Sequence, residues 1–407
     1  MATYRDPLQE RQVRTVEAAE RPLREEFLPY ALPSIGEEEI AEVIDSLRSG
    51  WITTGPKVKR FESEFAAYVG VRHAIAVNSC TAALHIALAA LGIGPGDEVI
   101  TSPLTFCSTA NVVLHLGGTP TFADIGEDYN VDPSEIERRI TPRTKVIIPV
   151  HYSGQPCRMD DILACAHKHN LLVIEDAAHA VGSKYRGRMM GTIGDVTAFS
   201  FYAIKNMTTA EGGMITTDDD ELAEKMQLLS LHGISKDAWK RYTSEGSWYY
   251  EVIYAGFKCN MTDIQAALGI HQLAKLEHFL EVRRKYVAMY NAAFGEISEI
   301  QTPVVSPDVC HAWHLYVIQL DLERLTINRA QFIEALRAEK IGTSVHFIPV
   351  HLHPYYRQAF GYTQGDFPNA ERAYERIVSL PLYPKMTEED VRDVIAAVDK
   401  VVRAHRK

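Results

Sequence analysis

Over the first two-thirds of the chain, short apolar runs alternate with stretches of helical spacing. Runs at 73–77, 98–101, 119–124, 145–150 and 171–176 read as strands, followed by two shorter ones at 197–202 and 213–217. Those at 145–150 and 171–176 are apolar without alternation, as in strands buried on both faces. Residues 81–91 put Leu84, Leu88 and Leu91 on one helical face, and 159–169 is a second helix. Asp132 and Pro133 open a third, Asp as cap and Pro in the first turn. Upstream, Ser34 and Glu37 make a capping box for a helix whose apolar face is Ile40, Val43, Ile44 and Leu47, and Gly50 stops it. This alternation predicts an α/β fold with a mostly parallel sheet covered on both faces.

Beyond about Thr262 the texture changes. A long helical stretch runs through Ile264, Leu268, Leu273, Leu276 and Val282. It is followed by a strand at 314–320, a helix at 328–339, a strand at 343–347 and a final helix capped by Thr387 and Asp390. Val391, Val394, Ile395, Val398 and Val402 form the buried stripe of that last helix. The expected division is a charged arm over 1–28, a large domain over 29–272 and a smaller C-terminal α/β domain over 273–407.

Composition narrows the function. With Asp+Glu at 53 and Lys+Arg at 42, the 407-residue chain carries a net charge of −11, which excludes broad nucleic-acid binding. The six cysteines form no C-x-x-C pair or zinc-ribbon spacing and read as reduced. Residues 1–24 lack the apolar core of a signal peptide, and the most apolar window, 74–93, is interrupted by Asn78, Ser79, Thr81 and His85. A cytoplasmic enzyme with no membrane segment is expected.

Common catalytic signatures are missing. There is no phosphate-binding G-x-x-x-x-G-K-[ST] and no G-x-S-x-G, and Gly92-Ile93-Gly94-Pro95-Gly96 follows a helix, so it is a helix stop. His311, His314, His346, His351 and His353 cluster late, but without H-E-x-x-H and with few carboxylates nearby, so no metal is expected.

Three segments carry the chemistry. Asn78-Ser79-Cys80-Thr81-Ala82-Ala83 lies between a strand and a helix; it is either an anion site at a helix N-terminus or an ordinary cap at Thr81. Val173 to His179 is a buried strand ending in Glu175 and Asp176, at the sheet edge where α/β proteins bind ligands. A carboxylate there could pair with a protonated pyridine nitrogen or cap a helix. Thr197 to Asn206 brings Lys205 close behind an apolar strand, among uncharged residues. An apolar setting lowers a lysine pKa and frees the amine for a Schiff base; a surface loop lysine is the alternative. A phosphate cradle, a strand-end carboxylate and a lysine, in that order on one α/β domain, are the parts of a pyridoxal phosphate site.

With these segments in hand, the chain resembles the sugar-nucleotide aminotransferases of the DegT/StrS type. These belong to the fold-type I PLP-dependent transferases, the aspartate aminotransferase superfamily. Within them, it looks like the UDP-4-amino-4-deoxy-L-arabinose–oxoglutarate aminotransferases. The resemblance rests on Gly50-Trp51-Ile52-Thr53-Thr54-Gly55-Pro56, Pro149-Val150-His151-Tyr152, Glu175-Asp176-Ala177-Ala178-His179, Ser200 to Asn206, Ala210-Glu211-Gly212-Gly213 and Asn260-Met261-Thr262-Asp263.

The resemblance implies pyridoxal 5'-phosphate as cofactor, L-glutamate as donor, a keto sugar nucleotide (a 4-keto sugar) as acceptor and a cytoplasmic homodimer with sites at its interface. It implies that Lys205 carries the Schiff base and shuttles the proton, that Asp176 binds the ring nitrogen and that His179 lies beside the ring. Thr81 and Ala82 backbone groups and Ser200 would hold the phosphate, Phe106 would stack on the ring, and Asn260 would reach the phosphate across the dimer. His346 and Thr53 would line the sugar pocket. Competing structural roles are a strand-end partner for Ser200, core packing for Phe106 and His346, and a helix cap for Asn260, where Thr262 competes. His151 and Tyr152 could touch ligand or be structural. The 236–251 stretch, with Trp239, Trp248, Tyr249 and Tyr250, reads as a loop near the active site. Two alternatives stand beside it: a dehydratase of the same fold working with pyridoxamine phosphate, which would carry His where this chain has Lys205, and a non-catalytic cofactor-binding regulator.

Overall fold

The computed structural model describes residues 22–235 and 249–407. In chain order its strands are β1 (His73–Val77), β2 (Glu98–Thr101), β3 (Thr119–Phe122), β4 (Thr144–Ile148), β5 (Leu172–Ala177), β6 (Lys184–Tyr185), β7 (Arg188–Met189), β8 (Val196–Ser200), β9 (Gly213–Thr217), β10 (Ile300–Gln301), β11 (Val309–Cys310), β12 (Tyr316–Leu320) and β13 (Ile377–Leu380). Seven of them form the main sheet in the order β1-β9-β8-β5-β4-β2-β3. β3, β2, β4, β5 and β8 run parallel, and only β9 is reversed, antiparallel to both β8 and β1. The fold is α/β with a mostly parallel sheet, as the unbroken apolar runs predicted.

Helices cover both faces. One side buries Phe61, Phe65, Ile162 and Leu276 against the sheet, the other Leu84, Leu88, Val112 and Met226. The apolar spacing of Val58, Phe61, Phe65 and Val69, with Pro56 in the first turn, accounts for the helix Pro56–Val69. A second, antiparallel sheet, β10-β12-β13, packs with the helix Glu388–His405 around Tyr290, Phe332, Val394 and Val398. That last helix begins in the expected capping box, Thr387 accepting from the Asp390 N–H and Asp390 from that of Thr387. The helix Asp263–Phe294 runs unbroken for 32 residues, placing Ile270 and Leu276 in the first core and Tyr286 and Tyr290 in the second.

Two expectations are corrected. The first helix, Glu37–Ser49, is capped by Gly36 and not by Ser34; the returning side chain is Glu39, which accepts from the Gly36 N–H at 2.9 Å. This helix also turns its apolar stripe outward: Glu39 and Ser46 are buried, while Ile40, Ile44 and Leu47 are exposed. Residues 343–347 form no strand. Only Ser344 pairs, in an isolated bridge to Ser379, because the segment turns away to line the cavity described below. Of the charged arm, residues 1–21 lie outside the described residues; its end is pinned by Leu28, which bridges Ile341, and by Arg24 against Asp390 and Asp393.

Candidate active site

The carboxyl ends of the parallel strands open into a cavity of about 420 Å³. Its walls include Thr81, Phe106, Asp176, His179, Ser200, Lys205 and His346, seven residues singled out from sequence and drawn from five separate segments.

The helix Cys80–Ala90 starts at the end of β1, with Ser79 as its cap: Ser79 Oγ accepts from the Ala82 N–H at 3.0 Å. The cap is therefore Ser79, not Thr81. Ala82 is buried and does not reach the cavity, and its N–H is already used. The N–H groups of Cys80 and Thr81 have no partner among the described residues and sit at the positive end of a buried helix. Gly213, the first residue of β9, makes this packing possible, since a Cβ there would lie 2.5–2.7 Å from the Ser79 carbonyl and Cys80 nitrogen.

Asp176 is buried near the end of β5, its two oxygens held by different donors. Oδ1 accepts from the Ala178 N–H at 3.1 Å and Oδ2 from the Thr109 hydroxyl at 2.8 Å. Burial pushes its pKa up, while Thr109, Ala178 and Lys205 act in the opposite sense. The preceding residue, Glu175, points to the other face by strand alternation. It is wholly buried and accepts from His151 Nε2 at 2.9 Å, the Thr197 hydroxyl at 2.9 Å and the Gly194 N–H at 2.7 Å. His151 is thus a structural partner of Glu175, and Tyr152 donates to the His346 carbonyl.

Lys205 stands in the loop after β8. That loop is fixed by the Thr209 N–H on the Phe201 carbonyl and by Asn206 on the Ala312 carbonyl. Burial lowers the Lys205 pKa to about 8, against the opposing pull of Cys80 and Asp176. Lys205 thus lines the cavity and is not a lysine of the outer surface. Ser200 ends β8 on the cavity wall. His179 packs on His314, ring centroids 4.4 Å apart, and on Phe347 at 5.9 Å. Phe106 faces Phe347 across the mouth and is 58% exposed. His346 is held by Ser379 Oγ at 2.8 Å, and burial with the nearby Lys205 charge lowers its pKa to about 4.

Thr53 and Asn260 do not line this cavity within one chain. They meet each other's segments instead: Asn260 donates to Thr54 Oγ1 at 2.6 Å, and the Asp263 N–H donates to the Thr53 carbonyl at 2.8 Å. Thr262 caps the long helix. Asp263 accepts from the Gly55, Lys57 and Val58 N–H groups and so caps the helix Pro56–Val69. Two segments quoted from sequence thus form one structural unit.

Sequence reasoning missed Thr105, Tyr202, His314 and Phe347 on the wall, and Thr109 behind Asp176. His314 reaches the wall because Arg283, buried in the long helix, donates to the carbonyls of Trp313, His314 and Leu382. The late histidines do not gather around one point: His311 stacks on Trp313 at 3.9 Å, and His351 pairs with Glu371 at 3.0 Å. Among the described residues, Glu137, Cys165 and His169 come within 4.8 Å of one another, and Lys168 already pairs with Glu137 at 2.6 Å.

The arrangement can hold an anion at the helix start, a protonated ring nitrogen at Asp176 and a carbonyl carbon at Lys205. A model of the DegT/DnrJ/EryC1/StrS aminotransferase family matches residues 33–399. The chain belongs to that family. It is 60% identical over 382 residues to the spore coat polysaccharide biosynthesis protein SpsC of Bacillus subtilis, covering 93% of this chain and 98% of that protein. Among solved structures it is similar to Spr1654 of Streptococcus pneumoniae in its PMP form, with a TM-score of 0.88 at 37% identity, covering 93% of this chain and 99% of the other. It is also similar to Helicobacter pylori PseC, an aminotransferase involved in the biosynthesis of pseudoaminic acid, with a TM-score of 0.86 at 31% identity, covering 93% and 100%.

The chain is a PLP-dependent aminotransferase of fold type I that acts on a sugar. Its residues fit the cofactor: two N–H groups at a helix start without partners among the described residues, a buried carboxylate and a half-buried lysine share one cavity. No helix among the described residues is long and apolar enough to cross a membrane.

Proposed function

We propose that this enzyme moves an amino group from L-glutamate to a keto sugar carried on a nucleotide diphosphate, the acceptor being a 4-keto sugar. The observation that carries the reading is that half-buried Lys205 shares one cavity with Asp176 and the free helix N-terminus. When bound, pyridoxal phosphate supplies an electron sink for the carbon beside the transferred nitrogen. Lys205 Nζ takes the proton from the donor's Cα in one half-reaction and delivers one to the keto carbon in the other. Asp176 keeps the ring nitrogen protonated, and His179 flanks the ring. The Cys80 and Thr81 N–H groups and Ser200 hold the phosphate, Phe106 covers the ring face, and His346 meets the sugar. The residue at position 205 is Lys, which supports transamination over the dehydratase alternative.

On the same reading the enzyme is a cytoplasmic homodimer, each subunit built as an arm over 1–28, a large domain over 29–272 and a small domain over 273–407. The outward stripe of Ile40, Ile44 and Leu47 supports a partner of the same kind. Asn260 and Thr53, off the cavity within one chain, reach the partner's site. Purified enzyme should show an absorbance band from cofactor joined to Lys205 that bleaches with L-glutamate and returns with the right keto sugar nucleotide. A band that glutamate leaves untouched would overturn the reading, and Lys205→Ala should lose both band and turnover.

A further inference from the structure

Asp176 lines the cavity, and one of its two donors comes from a residue that is not on the cavity wall. Thr109, in the helix Ser108–His115, is 0% exposed and is not part of the cavity wall. Its hydroxyl is 2.8 Å from Asp176 Oδ2 and 3.0 Å from the hydroxyl of Thr105. A carboxylate only accepts, so the Thr109 proton points at Asp176, and Thr105 must then donate to Thr109. The direction of the whole chain, Thr105 to Thr109 to Asp176, is fixed by this one condition. Hydroxyl dipoles aligned head to tail strengthen one another in a dry site.

Resting on the cofactor assignment above, we propose that Thr109 is a positioning residue for Asp176. With Thr105 behind it, it holds the carboxylate ionised and turned so that its free lone pairs face the ring nitrogen. The other groups facing Asp176 are Lys205 from the loop after β8, Cys80 from the helix start and His151 from behind the sheet. Cys80 is a buried thiol pushed well above its usual value, so it adds no charge. Lys205 Nζ is no longer a free ammonium beside Asp176 once it is joined to the cofactor, and His151 already donates to Glu175. Thr109 and the Ala178 N–H are then the donors that keep Asp176 an anion. Without the hydroxyl the buried carboxylate binds a proton more readily, and the ring nitrogen loses its own to Asp176. An unprotonated ring withdraws less charge, so the nitrogen joined to Lys205 keeps its proton to higher pH.

The test uses full-length Thr109→Val and Thr109→Ser enzymes. Three quantities are read: equilibrium affinity for pyridoxamine phosphate, which binds without Lys205 chemistry, the pH midpoint of the pyridoxal phosphate absorbance, and the melting temperature of the apo protein. Thr109→Val should weaken pyridoxamine phosphate about tenfold and raise the absorbance midpoint, while Thr109→Ser keeps both near wild type. A valine variant with unchanged affinity and midpoint overturns the proposal, and so does one that only melts lower. Should Thr109→Val fold poorly, Thr105→Val should give a smaller shift in the same direction, and no shift counts against the chain. Failure of the cofactor assignment itself would look different: wild type would show no titrating band at all.

Discussion

The backbone N–H of Ser153 donates to Nδ1 of His179, 3.2 Å away. That bond occupies the ring's acceptor nitrogen, so the proton sits on Nε2 and the imidazole is neutral. Ser153 makes it from a left-handed backbone conformation, φ 56°, next to Gly154, where a Cβ would lie 2.9 Å from the His179 carbonyl. His311 is neutral by the same device, its Nδ1 accepting from the Trp313 N–H at 2.8 Å.

These buried imidazoles set a pH limit on stability. Burial lowers His311 to about 3 and holds His179 and His314 well below the usual histidine value. Each gains a proton only on unfolding, so their stabilising contribution is present above about pH 6.5 and is lost as pH falls. At pH 5.5 the three together lower the unfolding free energy by about 4 kcal/mol. Unfolding free energies from denaturant titrations at pH 7.5 and 5.5 check this: His311→Gln should change the difference between the two pH values by about 1.4 kcal/mol, the share of one such ring. Equal midpoints would contradict the assignment of neutral rings.

Cofactor capture should follow the Lys205 amine. With its pKa lowered to about 8, the rate at which apo enzyme captures pyridoxal phosphate should climb roughly tenfold per pH unit below 8 and level off above it. A lysine at its ordinary value would keep climbing to about pH 10. Stopped-flow absorbance from pH 6.5 to 9.5 separates the two.

Gly213→Ala should damage the anion cradle more than the fold. Its Cβ would strike backbone atoms of Ser79 and Cys80, which cannot swing aside as a side chain can. We expect a loss of about 2–3 kcal/mol in stability and at least about tenfold in pyridoxamine phosphate affinity. Calorimetry and equilibrium binding would report both; wild-type affinity would show that the helix start does not hold the phosphate.

Mixed dimers test whether sites are shared. Lys205→Ala and Asn260→Ala should each be inactive or nearly so as homodimers. Co-expressed, they should regain activity, because one site per hybrid then has both Lys205 and Asn260 intact. No recovery would place Asn260 in a role confined to its own chain. Separately, Leu47→Asp on the outward stripe should yield monomers by sedimentation.

Much of this was legible in the chain. The strands at 73–77, 98–101 and 213–217 and the helix at 159–169 match the observed bounds, because each is an apolar run or stripe closed by clear turn signals. The helix Ser108–His115 went unseen: its sequence STANVVLH has no cap and too few turns for a period to stand out. Thr109 was invisible with it, since nothing local says that its hydroxyl meets a carboxylate 67 positions away. The Ser34 cap failed because Gly36 can start a helix with no side chain at all, the return bond coming from Glu39. The first helix differs in another way: its apolar stripe is legible as a stripe, but spacing alone cannot say that Ile40, Ile44 and Leu47 face outward while Glu39 and Ser46 are buried.

The helix Asp263–Phe294 spans about 48 Å at the usual rise per residue. Its head is clamped to residues 53–58 through Asp263, and its tail is embedded among Tyr316, Val394 and Val398. A tilt of only ~5° about one end would carry the other roughly 4 Å out of its seat, tearing a close-packed core. The helix is thus a splint between the two cores and resists a clamshell motion. Traffic into and out of the cavity is left to the side chains and loops at its lip, Phe106, Tyr202 and Phe347 foremost among them.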